Sequence, residues 1–119
     1  MKAGSRPRSA TRSSKQTQPS IQTQKLFEQG IALHQSGQLL QAKALYAQVL
    51  RLAPKHFDAL HLLGVIAAQN DENATAVDLI TKAIAINPDN AKSHYNLGLS
   101  LQKLKKFEDA ITSYEHAIR

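Results

Sequence analysis

FDALHLLGVIAAQNDENATAVDLITKAIAINPDN, residues 57–90, reads as two amphipathic helices followed by a stop. Leu60, Leu63, Gly64 and Ala67 stand at i, i+3, i+4 and i+7, one stripe of a first helix. Ala76, Ile80 and Ala83 make the stripe of a second, with Ile84 turned toward whatever follows. Pro88 cannot continue a helix, so the second one ends before it. The same grammar extends in both directions. Gly30, Gly64 and Gly98 lie thirty-four residues apart, as do Ala42, Ala76 and Ala110, and Pro54 stands thirty-four residues before Pro88. A period of this length with small residues in fixed places marks a solenoid of helix-turn-helix units.

The units run Thr23–His56, Phe57–Asn90 and Ala91 to Arg119, so repeats 23–56, 57–90 and 91–119 form one domain over 21–119. Equivalent places hold Leu26, Leu60 and His94; Gln29, Leu63 and Leu97; and Leu33, Ala67 and Leu101. On the second helices Tyr46, Ile80 and Tyr114 follow the alanines, and then come Val49, Ala83 and Ala117. Glycine inside a helix costs about 1 kcal/mol relative to alanine. Its recurrence therefore implies a close helix–helix approach, with the alanine of the second helix expected against the glycine of the first. The turn inside each unit favours a left-handed residue, which Gly37 suits and Asp71 and Lys105 do not. Asp89 or Asn90 is expected to cap the fifth helix.

Composition bounds the function. The chain has 119 residues, 42% hydrophobic and 20% charged, with no cysteine, so disulfides and thiolate metal sites are excluded. No apolar run approaches the roughly 18 residues of a membrane span, and no secretory h-region is present. A cytoplasmic protein is expected. The net charge of +6 is concentrated in residues 1–20, where Lys2, Arg6, Arg8, Arg12 and Lys15 stand with no acid. This Ser/Thr/Gln/Arg-rich segment buries too little surface to order itself and is expected to be a disordered basic tail. A solubilising leader is the first reading of it. Adhesion to an anionic surface or nucleic acid is the second, and a transit peptide, for which it lacks an apolar face, the third.

No phosphate loop, His-Glu-x-x-His or Gly-x-Ser-x-Gly motif occurs, and the five histidines lack ligand spacing. Asp58 and His61 sit three apart and read as a surface pair, and Glu108 and Asp109 as acids placed for a helix dipole. No enzyme, metal or cofactor is expected.

The glycine, alanine and proline pattern resembles the tetratricopeptide repeat family. The first helices here depart from it in lacking tryptophan, and the resemblance covers everything after the tail. It implies an all-α, right-handed superhelical solenoid of about three repeats that binds a protein or peptide in a concave groove. The groove positions it implies include Phe27, Ile31 and His34 in the first unit, and Asp58, His61 and Val65 in the second. In the third they include Lys92, Tyr95, Asn96 and Leu99. The carboxylate clamp of chaperone-binding members is not reproduced, because Phe27, Ile31 and Leu62 fill clamp positions and only Lys92 fits. The asparagine ladder of O-linked N-acetylglucosamine transferases has one rung, Asn96, since Glu28 and Leu62 hold the other places.

The runs FDALHLLGVIAAQ and INPDNAKSHYNLG also resemble arrays that precede catalytic domains in bacterial SPINDLY-type glycosyltransferases, sulfotransferases and methyltransferases. An interaction scaffold is thus the leading expectation, the recognition arm of a larger enzyme the second, and nucleic-acid binding through the tail the last. Phe107, Ile111, Tyr114 and Ile118 form an apolar stripe on the last helix, of which Ile111 and Ile118 are expected to be exposed and to meet either further chain or a second copy end to end.

Overall fold

The computed structural model describes residues 20–119. Six helices follow in order: α1 over 20–35, α2 Leu39–Leu52, α3 Phe57–Gln69, α4 Asn73–Ile86, α5 Ala91–Lys103 and α6 Phe107–Ala117. No strand occurs among the described residues. The disorder expected for the tail concerns residues that lie, up to position 19, outside this description.

Each helix packs on its sequence neighbours, and α3 also touches α5. The first helices of the three pairs (α1, α3, α5) therefore form one layer and the second helices (α2, α4, α6) another. Ala42, Tyr46, Val49, Ala59 and Ile66 make one core cluster, on which Leu26, Phe27 and Ile31 of α1 pack. Ala67, Ala76 and Ile80 make the next, with Ile84 of α4 and Leu97 of α5 against it. That contact carries the solenoid from one pair to the next.

The three glycines do bring helices close, but the alanine is not what they admit. A Cβ on Gly64 would lie 2.5 Å from Ile80 Cγ1, while the nearest atom of Ala76 is its carbonyl oxygen at 3.4 Å. On Gly30 and Gly98 it would meet the rings of Tyr46 and Tyr114 at 2.6 and 2.5 Å. The side chain one turn beyond the alanine thus occupies the glycine notch. Ala42, Ala76 and Ala110 are themselves buried.

The turns inside the pairs share one geometry. Gly37, Asp71 and Lys105 all have positive φ, 83°, 62° and 63°. Beyond them Gln38, Glu72 and Lys106 donate their N–H to the carbonyls of Leu33, Ala67 and Leu101 at 2.8–2.9 Å. This is the six-to-one bond of a Schellman ending, which satisfies otherwise orphaned carbonyls. Aspartate and lysine bear a left-handed backbone there at roughly 1–2 kcal/mol each. Between pairs, the helices stop two residues short of Pro54 and Pro88. Asn90 Oδ1 accepts from the Ser93 N–H at 2.9 Å, as expected. His56 does the same for α3, its Nδ1 accepting from the Ala59 N–H at 3.1 Å. The sequence reading missed this cap, although His56 occupies the place thirty-four residues before Asn90.

Replacing Gly64 with leucine is expected to force α3 from α4, because Ile80 is fully buried and has nowhere to move. Overpacking of this kind costs about 1–3 kcal/mol, a large share of a small domain's stability. Denaturant unfolding of the variant measures it, and a midpoint equal to the parent's would refute the notch.

Candidate functional site

Two open clefts lie where the helices of the α1, α3, α5 layer meet. The first, of about 380 Å³, is bounded by Phe27 and Ile31 of α1, Asp58, His61 and Leu62 of α3, and Lys92 of α5. The second, of about 270 Å³, is bounded by Val65, Ala68 and Gln69 of α3 and by Asn96, Leu99, Ser100 and Lys103 of α5, with Asn73 at its edge. Of the groove residues expected from sequence, five thus meet in the first cleft and Val65, Asn96 and Leu99 in the second. Tyr95 lines neither; it is 51% exposed and leans on Tyr114 with ring centroids 5.8 Å apart.

His61 is not the surface partner of Asp58 that the spacing suggested. It is only 6% exposed, leans on Phe57, and makes its hydrogen bond across to the next pair. Asn96 Nδ2 donates to His61 Nε2 at 3.0 Å. Burial pushes the imidazole pKa below its ordinary value, Asp58 opposes that shift and Lys92 reinforces it. A neutral ring with a bare Nε2 is what the asparagine donor requires. The amide's Oδ1 is left for another partner.

His34 forms a second link of this kind. Its Nε2–H donates to Gln69 Oε1 at 3.4 Å, while Nδ1 accepts from the Tyr46 hydroxyl at 3.2 Å. Tyr46 is wholly buried beneath Gly30, and burial pushes its pKa up to about 12. The third pair repeats the arrangement with Gln102, whose Oε1 accepts from the Tyr114 hydroxyl at 2.7 Å. The middle pair cannot. Ile80 has no hydroxyl, and the residue equivalent to His34 and Gln102 is Ala68. The notch residue and the groove residue above it therefore change together: tyrosine with a polar partner, isoleucine with alanine.

Ser100 also bounds the second cleft. It is 1% exposed, and its Oγ has no hydrogen-bond partner. An unpartnered buried hydroxyl costs on the order of 1–3 kcal/mol. The sequence offered one clue to it, since Ser100 stands thirty-four residues after Ile66 and puts a hydroxyl where the middle unit has an apolar side chain. His94, the polar residue in the stripe of α5, is satisfied: its Nε2–H donates to the Pro88 carbonyl at 2.6 Å and its ring stacks on His116.

Among the described residues no cluster of His, Asp and Glu could hold a metal ion, and no helix is long and apolar enough to cross a membrane. What the two clefts offer is apolar floor, amide and imidazole hydrogen-bonding groups, and a few separated charges.

Comparison with known proteins agrees with this geometry. Tetratricopeptide repeat profiles match residues 27–91 and 91–119, and the chain belongs to that family. Its all-α solenoid is the right-handed superhelix implied by the repeat pattern, and the repeats support a role in protein interaction. An O-GlcNAc transferase mutant of Thermobaculum terrenum superposes with a TM-score of 0.80 at 32% identity, over 84% of this chain and 19% of that one. The BBSome complex member BBS4 homolog of Drosophila melanogaster is 35% identical over 66 residues, 56% of this chain and 14% of that protein. The first TPR of Spaghetti (RPAP3), bound to the HSP90 peptide SRMEEVD, superposes with a TM-score of 0.77. At 21% identity, over 81% of this chain and 76% of that one, it shares the fold alone. The chain thus spans less than a fifth of the length of the first two.

The lowered pKa of His61 has a stability consequence whose sign is fixed. The unfolded chain takes up this proton more readily than the folded one, so the contribution is complete above the ordinary histidine value of 6.5 and declines as pH falls below it. Thermal midpoints measured from about pH 8 down to about pH 5 are expected to fall less for His61→Gln, whose amide oxygen can still accept from Asn96. Parallel curves for variant and parent would show that His61 carries no such linkage.

Proposed function

We propose that the chain is an interaction scaffold whose concave groove, between α1, α3 and α5, takes an extended or helical segment of a protein partner. The observation that carries this reading is convergence. Both clefts, the free amide oxygen of Asn96, and the exposed Tyr95 and Leu99 stand on one layer of helices. The groove set is Phe27, Ile31, His34, Asp58, His61, Val65, Lys92, Tyr95, Asn96 and Leu99, with His34 and His61 acting by orienting amides. The role is binding rather than catalysis, and the setting proposed is the bacterial cytoplasm.

Peptides selected from a random library against the full chain are expected to shift amide resonances of α1, α3 and α5 and to leave α2, α4 and α6 in place. Asp58→Lys with Lys92→Glu is expected to stay folded and to weaken those peptides about tenfold or more, a typical effect of reversing charges at a contact. Shifts confined to the outer helices would move the binding surface elsewhere.

Two further readings have observations behind them. The likeness to the Thermobaculum terrenum enzyme, 32% identical over 84% of this chain, favours a recognition arm attached to a glycosyltransferase or similar catalytic domain. The reading frame around the coding sequence tests that directly. The exposure of Phe107 and Ile111 on α6 and of Ile118 just past its end, at 57%, 56% and 85%, favours end-to-end self-association. Sedimentation equilibrium is expected to show a concentration-dependent dimer that Ile111→Lys with Ile118→Lys abolishes. A strict monomer would rule it out.

A further inference from the structure

The cleft between α3 and α5 is bounded by Ala68, at the place where the neighbouring pairs carry His34 and Gln102. In the first and third pairs a tyrosine fills the glycine notch, and His34 or Gln102 reaches over to bind its hydroxyl. In the middle pair Ile80 fills the notch, nothing needs binding, and Ala68 ends at its β-carbon. Ala68 thus bounds an open cleft with a methyl group where its two counterparts have longer side chains.

We infer that this space is a socket for one aliphatic side chain of an extended segment that carries an acidic residue close by. The inference rests on the groove reading above and deepens it. Val65, Ala68 and Leu99 give the socket carbon walls, and Leu99 is left 39% exposed. An aliphatic group entering there removes apolar surface from water on both partners. Asn96, which also bounds the socket, has committed its Nδ2 to His61 and keeps Oδ1 as an acceptor, which suits the backbone N–H of an extended segment and repels a carboxylate. Lys103 is the one charged residue bounding the socket and, among the described residues, makes no salt bridge. It selects an acid on the incoming segment, within about two residues of the aliphatic anchor at the rise of about 3.3 Å per residue of an extended chain. Ser100 supplies an independent sign that the place is unfinished, since the residue bounds the socket and its Oγ is buried without a partner.

The neighbouring pairs supply the variant that tests this. Ala68→Gln installs the side chain of the third pair and Ala68→His that of the first, so both sit on a helix geometry the solenoid already accommodates. The probe is the set of random heptapeptides selected on the full chain by phage display, remade as synthetic peptides and measured by fluorescence anisotropy. The expected consensus has one Leu, Ile, Met or Val with an Asp or Glu within two positions. Ala68→Gln and Ala68→His, each checked for an unchanged circular dichroism spectrum, are expected to weaken binding about tenfold, as is changing the aliphatic residue of the peptide to asparagine. Lys103→Glu is expected to weaken only peptides that carry the acid. Peptides that bind in the groove but show no aliphatic position, or that ignore both Ala68 variants, would overturn the socket and leave the groove reading standing. Failure to select any peptide, or binding that shifts only α2, α4 and α6, would overturn the groove reading and the socket with it.

Discussion

A bulky side chain seated on a glycine sets the distance between the helices of each pair, and the rest of the molecule is built around that distance. Ile80 under Gly64, and the rings of Tyr46 and Tyr114 under Gly30 and Gly98, stand where a β-carbon would be only 2.5–2.6 Å away. The glycine's loss of helix propensity, about 1 kcal/mol, is offset by burial of a large side chain that no other residue would admit. The alanines beside these contacts are small because the helices are already close, and they do not create the closeness. The same choice then propagates outward. A tyrosine needs a partner for its hydroxyl, which fixes the residue above it on the groove wall, whereas isoleucine frees that residue to be small. The shape of the surface over α1, α3 and α5 is therefore decided in the core.

Polar groups link successive pairs where the apolar contacts leave off. Burial keeps the His61 ring neutral, and a neutral ring can accept from Asn96, so a desolvation effect inside α3 determines which end of an amide faces the groove on α5. Two turns tolerate left-handed aspartate and lysine because the bond from Glu72 or Lys106 back to the preceding helix holds the backbone in that region. Local strain is accepted where the pairing of helices demands it.

The fold was legible in the sequence to an unusual degree. Thirty-four residues separate equivalent glycines, alanines and prolines, and that period alone required paired helices, their breaks and their order. The cap at Asn90 and the unfavourable turn residues Asp71 and Lys105 could also be read, since each depends on a few neighbouring residues. Family resemblance extended this to the candidate groove positions. The cap at His56 was readable by the same register and was missed because histidine is an uncommon cap.

What depended on tertiary structure was every property that joins residues distant in the chain. Periodicity says that glycine and alanine recur, but only the packed pair shows that Ile80, one turn further along, fills the notch. Spacing put His61 beside Asp58. The stacking of α5 on α3 buried it and gave it Asn96, thirty-five residues away, as its partner. The cleft beside Ala68 and the orphan hydroxyl of Ser100 likewise exist only once two helices meet. Helix formation obeys a local rule of 3.6 residues per turn that a sequence displays directly. Burial, and with it the ionisation and free valence of each side chain, depends on which surfaces the folded chain brings together.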